Sequence, residues 1–312
     1  MSMPEAATPV KAPVLSVVLI ARHPNEAPDA VLSALALETA DPATCAQTEI
    51  ILVDGRPDAL DPSGNLPERL RRLLRPGLNM PRLKAIGVAV ARGNSVAFLE
   101  PKALPVEGWL RSALAAVTAH SGSALGGAVT VGPCRAADSA AYAFEYSAFS
   151  HAALTRGSGR DLPGNNMVLP LAALRDLCGD ILEAEGLNKP FCQARLTDGG
   201  VAIVMVPDMT VQITTQYRLG SLLTSRFEYA RCFGGTRAAL SGPRQRWVYR
   251  LGAPLVPLLL LHRHLGAALR ASGTDRLDAS GFAALSALCL AWSAGEAAGS
   301  WAGRGKTCDR LY

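Results

Sequence analysis

The sequence predicts an α/β protein: a mostly parallel sheet flanked by helices, with a hydrophobic helical tail behind it. Three observations carry this reading. Short β-branched apolar runs alternate with helix-forming segments through the first 120 residues, the rhythm of βαβ units. The runs are apolar throughout rather than alternating, as strands covered on both faces must be. The last sixty residues then change character and are dominated by two apolar stretches.

Taken in order, residues 1–13 are rich in Pro and Ala and predict a loose leader without the charged-then-apolar layout of a secretory signal. Residues 15–20 form the first strand and 30–37 a helix; residues 49–53 are a second strand ending in Asp54-Gly55. Residues 69–74 and 81–91 read as helices, 95–99 as a third strand, and 106–119 as a helix with Trp109 on its apolar side. Further on, 126–131 reads as a strand, 139–155 as a helix over the sheet, 163–167 as a loop and 201–206 as another strand. Residues 219–240 predict a helix carrying Arg226, Arg231 and Arg237; Arg226 and Arg231 are expected to snorkel at a membrane or protein face.

The tail, residues 241–312, holds an 11-residue apolar run at 251–261, too short for a bilayer crossing of about 20 residues. The run at 282–303 is longer and carries one charge, Glu296. Together they predict either a membrane-attached tail, monotopic, as a shallow hairpin or with one C-terminal span at 282–303, or a pair of buried helices. His262 and His264 read as part of a headgroup-level basic cluster with the neighbouring arginines.

Composition narrows the classes. Apolar residues make up 49% and charged residues 18%, against a usual charged share of roughly 25%. With a mean hydropathy of +0.18, this excludes a disordered chain. The net charge of +5 is too mild and scattered for a nucleic-acid partner, and suits an anionic membrane surface or a phosphate-bearing ligand. The seven cysteines form no CxxC pair and read as reduced thiols, which predicts the cytoplasmic face of a membrane as the setting.

Open sheets of this kind bind ligands beyond the carboxyl ends of their strands. Here those ends are residues 20–23, 54–56 and 100–102. No GxGxxG follows the first strand, which argues against a dinucleotide oxidoreductase.

Several segments stand in a familiar order. They are Leu15-Ser-Val-Val-Leu-Ile20, Glu49-Ile-Ile-Leu-Val-Asp54, Lys84-Ala-Ile-Gly87 in the helix before the third strand, and Phe98-Leu-Glu100-Pro-Lys102. Glu107-Gly-Trp109, Pro163-Gly-Asn-Asn166 and Phe227-Glu-Tyr229-Ala-Arg231 follow. Over residues 14–240 this order resembles family 2 glycosyltransferases, which have the nucleotide-diphospho-sugar-binding GT-A fold. The hydrophobic tail is similar to that of members acting on lipid-linked acceptors.

The resemblance implies a nucleotide-sugar donor and a lipid-linked or polysaccharide acceptor. It places Ile20, Asp54, Lys84 and Glu100 on the donor side and Asn165 and Asn166 on the acceptor side. The family's catalytic positions are substituted. Its Asp-x-Asp metal site reads Glu100-Pro101-Lys102, its Glu-Asp pair falls on Asn188-Lys189, and its histidine on Gln212. The resemblance therefore implies no conventional divalent-metal site and no other cofactor.

Lys102 has two readings, an ammonium standing in for the metal at the diphosphate or a solvated lysine in a silent site. Glu183, Glu185 and Asp198 are nearby acids that could supply a displaced base. Two functions follow. One is a transferase without an Asp-x-Asp site. The alternative is a catalytically inactive homologue that self-associates or scaffolds an active transferase.

Overall fold

The computed structural model describes residues 12–310 apart from 24–25, 133–134, 156–159, 215 and 271–275. Most of the expected leader, residues 1–11, lies outside the described residues.

The chain opens with β1 (Leu15–Ala21), α1 (Asp29–Thr39), α2 (Pro42–Gln47) and β2 (Thr48–Asp54). It continues through β3 (Leu70–Leu74), α3 (Met80–Val90), β4 (Ser95–Leu99), β5 (Ala103–Pro105) and α4 (Trp109–Ala119). Next come β6 (Ala124–Val131), α5 (Ala136–Glu145), a 3-10 turn at Ser147–Phe149, α6 (His151–Thr155), β7 (Asn166–Pro170), α7 (Leu171–Ala184), α8 (Lys189–Asp198) and β8 (Ile203–Ile213). The C-terminal helices are α9 (Leu219–Leu240), α10 (Pro243–Gly252), α11 (Val256–Arg270), α12 (Ala279–Ala302) and the short α13 (Thr307–Arg310).

The strands form one eight-stranded sheet in the order β3-β2-β1-β4-β7-β6-β8-β5. The expected parallel arrangement holds from β3 to β4. Beyond β4 the sheet is mixed, because β7 runs antiparallel to both β4 and β6, and β5 antiparallel to β8, while β6 and β8 are parallel. Residues 69–74, expected as a helix, are instead the edge strand β3, paired in parallel with β2 from Ile50–Leu70 to Asp54–Leu74. Five residues with leucines at 70, 73 and 74 fit either period, and pairing with a neighbour decided the outcome. The expected single helix at 139–155 is broken by the 3-10 turn.

Strand β1 shows why the runs are apolar throughout. Leu15, Val17, Leu19 and Ala21 point into a core layer against α1 and α4. Val18 and Ile20 point into the opposite layer, against α3, α7 and α8. Local chemistry seats the helices around this sheet. Asn79 caps α3 by accepting from the Arg82 amide at 3.0 Å. Gly87 lets α3 settle on β1, since a Cβ there would stand 2.4 Å from Val18 Cγ1. The Glu38 carboxylate reaches from α1 to the first amides of α4, accepting from Leu110 N at 3.1 Å and Arg111 N at 3.2 Å.

A third core joins α5, α9, α11 and α12. Along it α9 and α12 meet backbone to backbone. A Cβ on Gly295 or Gly299 would stand 2.2 Å from the carbonyl oxygens of Phe227 and Arg231 respectively, and one on Gly234 2.5 Å from that of Glu296. Glu296, the lone charge of the apolar run, is buried; it accepts from Arg237 Nη2 at 2.5 Å and from Trp292 Nε1 at 3.0 Å.

Several charges and thiols differ from expectation. Arg226 does not snorkel: it is buried and paired with Glu145 at 2.5 Å. His264 stacks on Phe144 at 4.7 Å, and burial together with Arg263 pushes its pKa down to about 4. It is therefore neutral at pH 7 and does not join the basic cluster. Cys232 of α9 and Cys308 of α13 form a disulfide. This corrects the expectation of reduced thiols throughout, and the argument from cysteines to a reducing compartment falls away. A pair 76 residues apart carries no local sequence signal.

Candidate active site

The strand order reverses at β1, with β2 and β3 to one side and β4 to the other. Such switch points leave a crevice at the carboxyl edge of the sheet. Register places Ala21 opposite Asp54 and Leu19 opposite Leu99, so Asp54 and Glu100 flank the end of β1 from its two sides.

Glu100, buried at the end of β4, is shared by two lysines. Lys84 of α3 donates to its Oε1 at 3.0 Å and Lys102 lies 3.1 Å from its Oε2. Burial alone would raise the Glu100 pKa, but Lys102 and then Lys84 more than reverse this and bring it down to about 2. Burial likewise opposes the charge on Lys102, yet Glu100, Tyr146, Tyr217 and Glu145 hold its pKa well above the usual ammonium range. Two cations around one anion leave the cluster with a surplus positive charge. Lys84 also donates to the Gly164 carbonyl at 2.9 Å, tying the cluster to the loop before β7.

Asp54 is fully buried and grips two arginines. Its Oδ1 accepts from Arg56 N at 3.2 Å and Nε at 2.9 Å, and its Oδ2 from Arg56 Nη2 at 2.8 Å and Arg72 Nη2 at 3.0 Å. Burial would raise its pKa, but these bonds hold it below the ordinary value. A carboxylate has about four acceptor sites, so another donor at Asp54 has to displace an arginine. Ile20 presents no side chain to the crevice, being wholly buried in the layer beneath.

The loop before β7 brings in the other expected residues. Asn166 spends its side chain inside the protein. It donates to Ala128 O at 2.8 Å and Met209 O at 2.7 Å, and accepts from Trp109 Nε1 at 2.9 Å. Asn165 is as deeply buried, yet neither its amide oxygen nor its nitrogen has a partner among the described residues. A buried amide left open in this way costs stability.

Asn188 is the N-cap residue of α8 without a side-chain capping bond, and Lys189 follows it. Lys189 pairs with Asp161, and its pKa is lowered mainly by burial, with Lys84 close enough to add to the effect. Asn188-Lys189 therefore belongs to the same neighbourhood as Lys84 and the 161–166 loop. Gln212 is held in the β5–β8 pairing opposite Leu104.

Two features escaped the sequence reading. Asp161 is a half-exposed acid beside Lys189, whereas Glu185, one of the acids expected nearby, is spent on Arg304 at 2.8 Å. Its only signal was an aspartate just ahead of Pro163-Gly164. The arginines on Asp54 were the other omission. Arg56 stands two residues from the strand end, but Arg72 enters only once β3 is recognised as a strand.

The donor set does not suit a divalent cation. The one acid at the end of β4 has each oxygen on an ammonium, and a cation fills the second acid's place. Among the described residues no three His, Cys, Asp or Glu side chains converge. What this geometry offers is fixed positive charge at a strand end and a nearby acid.

No protein-family model matches the chain, and no curated protein matches it either. Solved structures do. The mannosyltransferase PcManGT from Pyrobaculum calidifontis, in complex with GDP-Man and Mn2+, is similar over 91% of this chain and 87% of its own, with a TM-score of 0.51 at 14% identity. A structure of residues 1–349 of S. aureus TarS is similar over 83% of this chain and 75% of its own, with a TM-score of 0.44 at 14% identity. The chain has the fold of a glycosyltransferase.

Proposed function

We propose that the chain is a family 2, GT-A-type glycosyltransferase that works at a membrane surface without a divalent cation. The observation that carries this reading is the Lys84–Glu100–Lys102 cluster at the end of β4. Glycosyl transfer needs positive charge where the diphosphate departs, rather than a metal as such. In this reading Lys102 and Lys84, oriented by Glu100, supply it. The nucleotide base lies by Asp54, which trades part of its grip on Arg56 for the base edge.

Asn165 receives the acceptor, and Asp161 takes its proton. The acceptor oxygen bonds to the sugar's anomeric carbon, the bond from that carbon to the diphosphate breaks, and its electron pair leaves with the nucleoside diphosphate. Lys189 holds Asp161 in place through their ion pair.

Membrane attachment rests on α10 and α11. Trp247, Leu251, Leu255, Leu258 and Leu259 are all more than half exposed. Arg250 lies over the rings of Trp247 and Trp301, 5.5 and 5.3 Å from their centroids. Exposed apolar side chains rimmed by arginine and tryptophan suit the interface of a bilayer. Helix α12 is 24 residues long and apolar enough to cross a membrane, but 44% of its most apolar window is buried inside the protein. That favours a monotopic attachment.

The competing reading is a silent homologue that partners an active transferase. The full occupation of Asp54 and Glu100 by neighbouring cations favours it. Purified full-length protein, offered nucleotide-sugars with membrane lipid extract, should release nucleoside diphosphate equally with and without EDTA, and K102A should lose at least a hundredfold in rate. Nucleotide binding without turnover would instead support the silent partner.

A further inference from the structure

The opposite edge of the sheet holds a second cluster of charge. A cavity of about 220 Å³ opens there, lined by Thr48, Glu49, Arg69, Arg71 and Arg92. It lies at the amino end of β2 and the entry to β3, about 20 Å along the strand from Asp54 by the rise of a seven-residue strand. It is therefore separate from the crevice, and the inference does not depend on how the crevice is read.

The charges in this cavity are unbalanced. Glu49 is buried and already spent: its Oε1 accepts from Ser16 Oγ at 2.6 Å and Arg92 N at 2.6 Å, and its Oε2 from Arg92 Nε at 3.0 Å. Arg69 and Arg71 are exposed and, among the described residues, have no carboxylate partner. Thr48 is 3% exposed, and its hydroxyl is buried without a hydrogen-bond partner among the described residues. A buried hydroxyl costs stability when left unpaired, and Thr48 is one of the residues lining the cavity. The cavity is several times a water's share of liquid volume, about 30 Å³.

We propose that this cavity is a binding site for a small phosphate-bearing molecule, with Arg69 and Arg71 as its guanidinium forks and the Thr48 hydroxyl as a further donor. Guanidinium forks match phosphate oxygens in pairs, and the buried Glu49 fixes Arg92 beside them. The Glu49–Arg92 pair also rules out a cationic ligand, because the one acid in the cavity is already neutralised.

The test is calorimetric titration with inorganic pyrophosphate at fixed ionic strength. The background is K102A, which removes the surplus positive charge of the crevice and leaves Lys84 neutralised by Glu100. One site should be seen in K102A, at least tenfold weaker when R69A/R71A is added and about threefold weaker with T48V. R69K/R71K, which keeps the charge and loses the forks, should fall between. Circular dichroism melts within a few degrees of the parent establish that each variant is folded. Absence of binding in K102A, or affinity unchanged by R69A/R71A in a folded protein, would overturn the proposal. So would equal losses from R69K/R71K and R69A/R71A together with full competition by chloride, which would mark general charge screening.

Discussion

Lys84 Nζ lies 3.0 Å from Glu100 Oε1, so the middle of helix α3 is fastened to the end of strand β4 through a buried ion pair. Lys102 closes the pair from the other side at 3.1 Å. A carboxylate held this way is at once a part of the crevice and a part of the fold.

The pH dependence follows from that arrangement. The folded Glu100 pKa of about 2 lies below its ordinary 4.5. A depressed acid contributes stability that is fully present above the unfolded value and lost as pH falls through the folded one. The urea midpoint should therefore drop between about pH 5 and pH 2. E100Q should cost roughly 3–5 kcal/mol at pH 7, because two buried lysines lose their shared anion. It should also flatten the acid limb. A midpoint that falls as steeply in E100Q as in the parent would contradict the assignment.

Asn166 should behave as a staple between strands. N166A strands the Trp109 indole N–H and two backbone carbonyls, and should cost about 2–5 kcal/mol. N166D keeps an acceptor for Trp109 but turns a charged oxygen toward the carbonyls of Ala128 and Met209, so it should be worse than alanine. Thermal melts of the two variants check the order.

The Cys232–Cys308 bond fastens α13 to α9. Closing a long loop should be worth about 2–4 kcal/mol. Dithiothreitol should lower the Tm of the parent and leave that of C308S unchanged, with both reduced forms melting together.

The membrane reading has a direct check. L255E/L259E places two carboxylates on the exposed face formed by the 3-10 turn at Ala253–Leu255 and the first turn of α11. In flotation with anionic vesicles it should abolish co-migration, while the Tm stays within a few degrees because neither leucine is buried. Retained flotation would exclude this face as the attachment site.

Much of the sheet was legible because a strand covered on both faces leaves an unbroken apolar run, as in β1, β2 and β4. Helix α9 was legible to the residue, its length leaving no strand alternative. Strand β3 was not, since five residues cannot distinguish two periods and only the partner strand settles the matter. In the crevice, the ends of β2 and β4 pointed to Asp54 and Glu100. What surrounds them showed only in part: the resemblance named Lys84, but Arg72 arrives from β3 and pairing across the fold has no spacing to read. The same holds for Asp161 and Lys189, which are 28 residues apart. The placement of α12 against α9 was not legible: the apolar run at 282–303 announced a long helix, but not whether a helix or a lipid would lie alongside.

That seam has an evolutionary consequence. Where two side chains meet, one can shrink as the other grows, and homologues drift as matched pairs. At Gly295 and Gly299 the opposing atoms are the carbonyl oxygens of Phe227 and Arg231, which every residue type carries alike. No substitution on α9 can make room. These two positions should therefore be frozen across relatives without covarying partners, and an aligned set of homologues should show glycine there even where the flanking apolar residues have been exchanged freely.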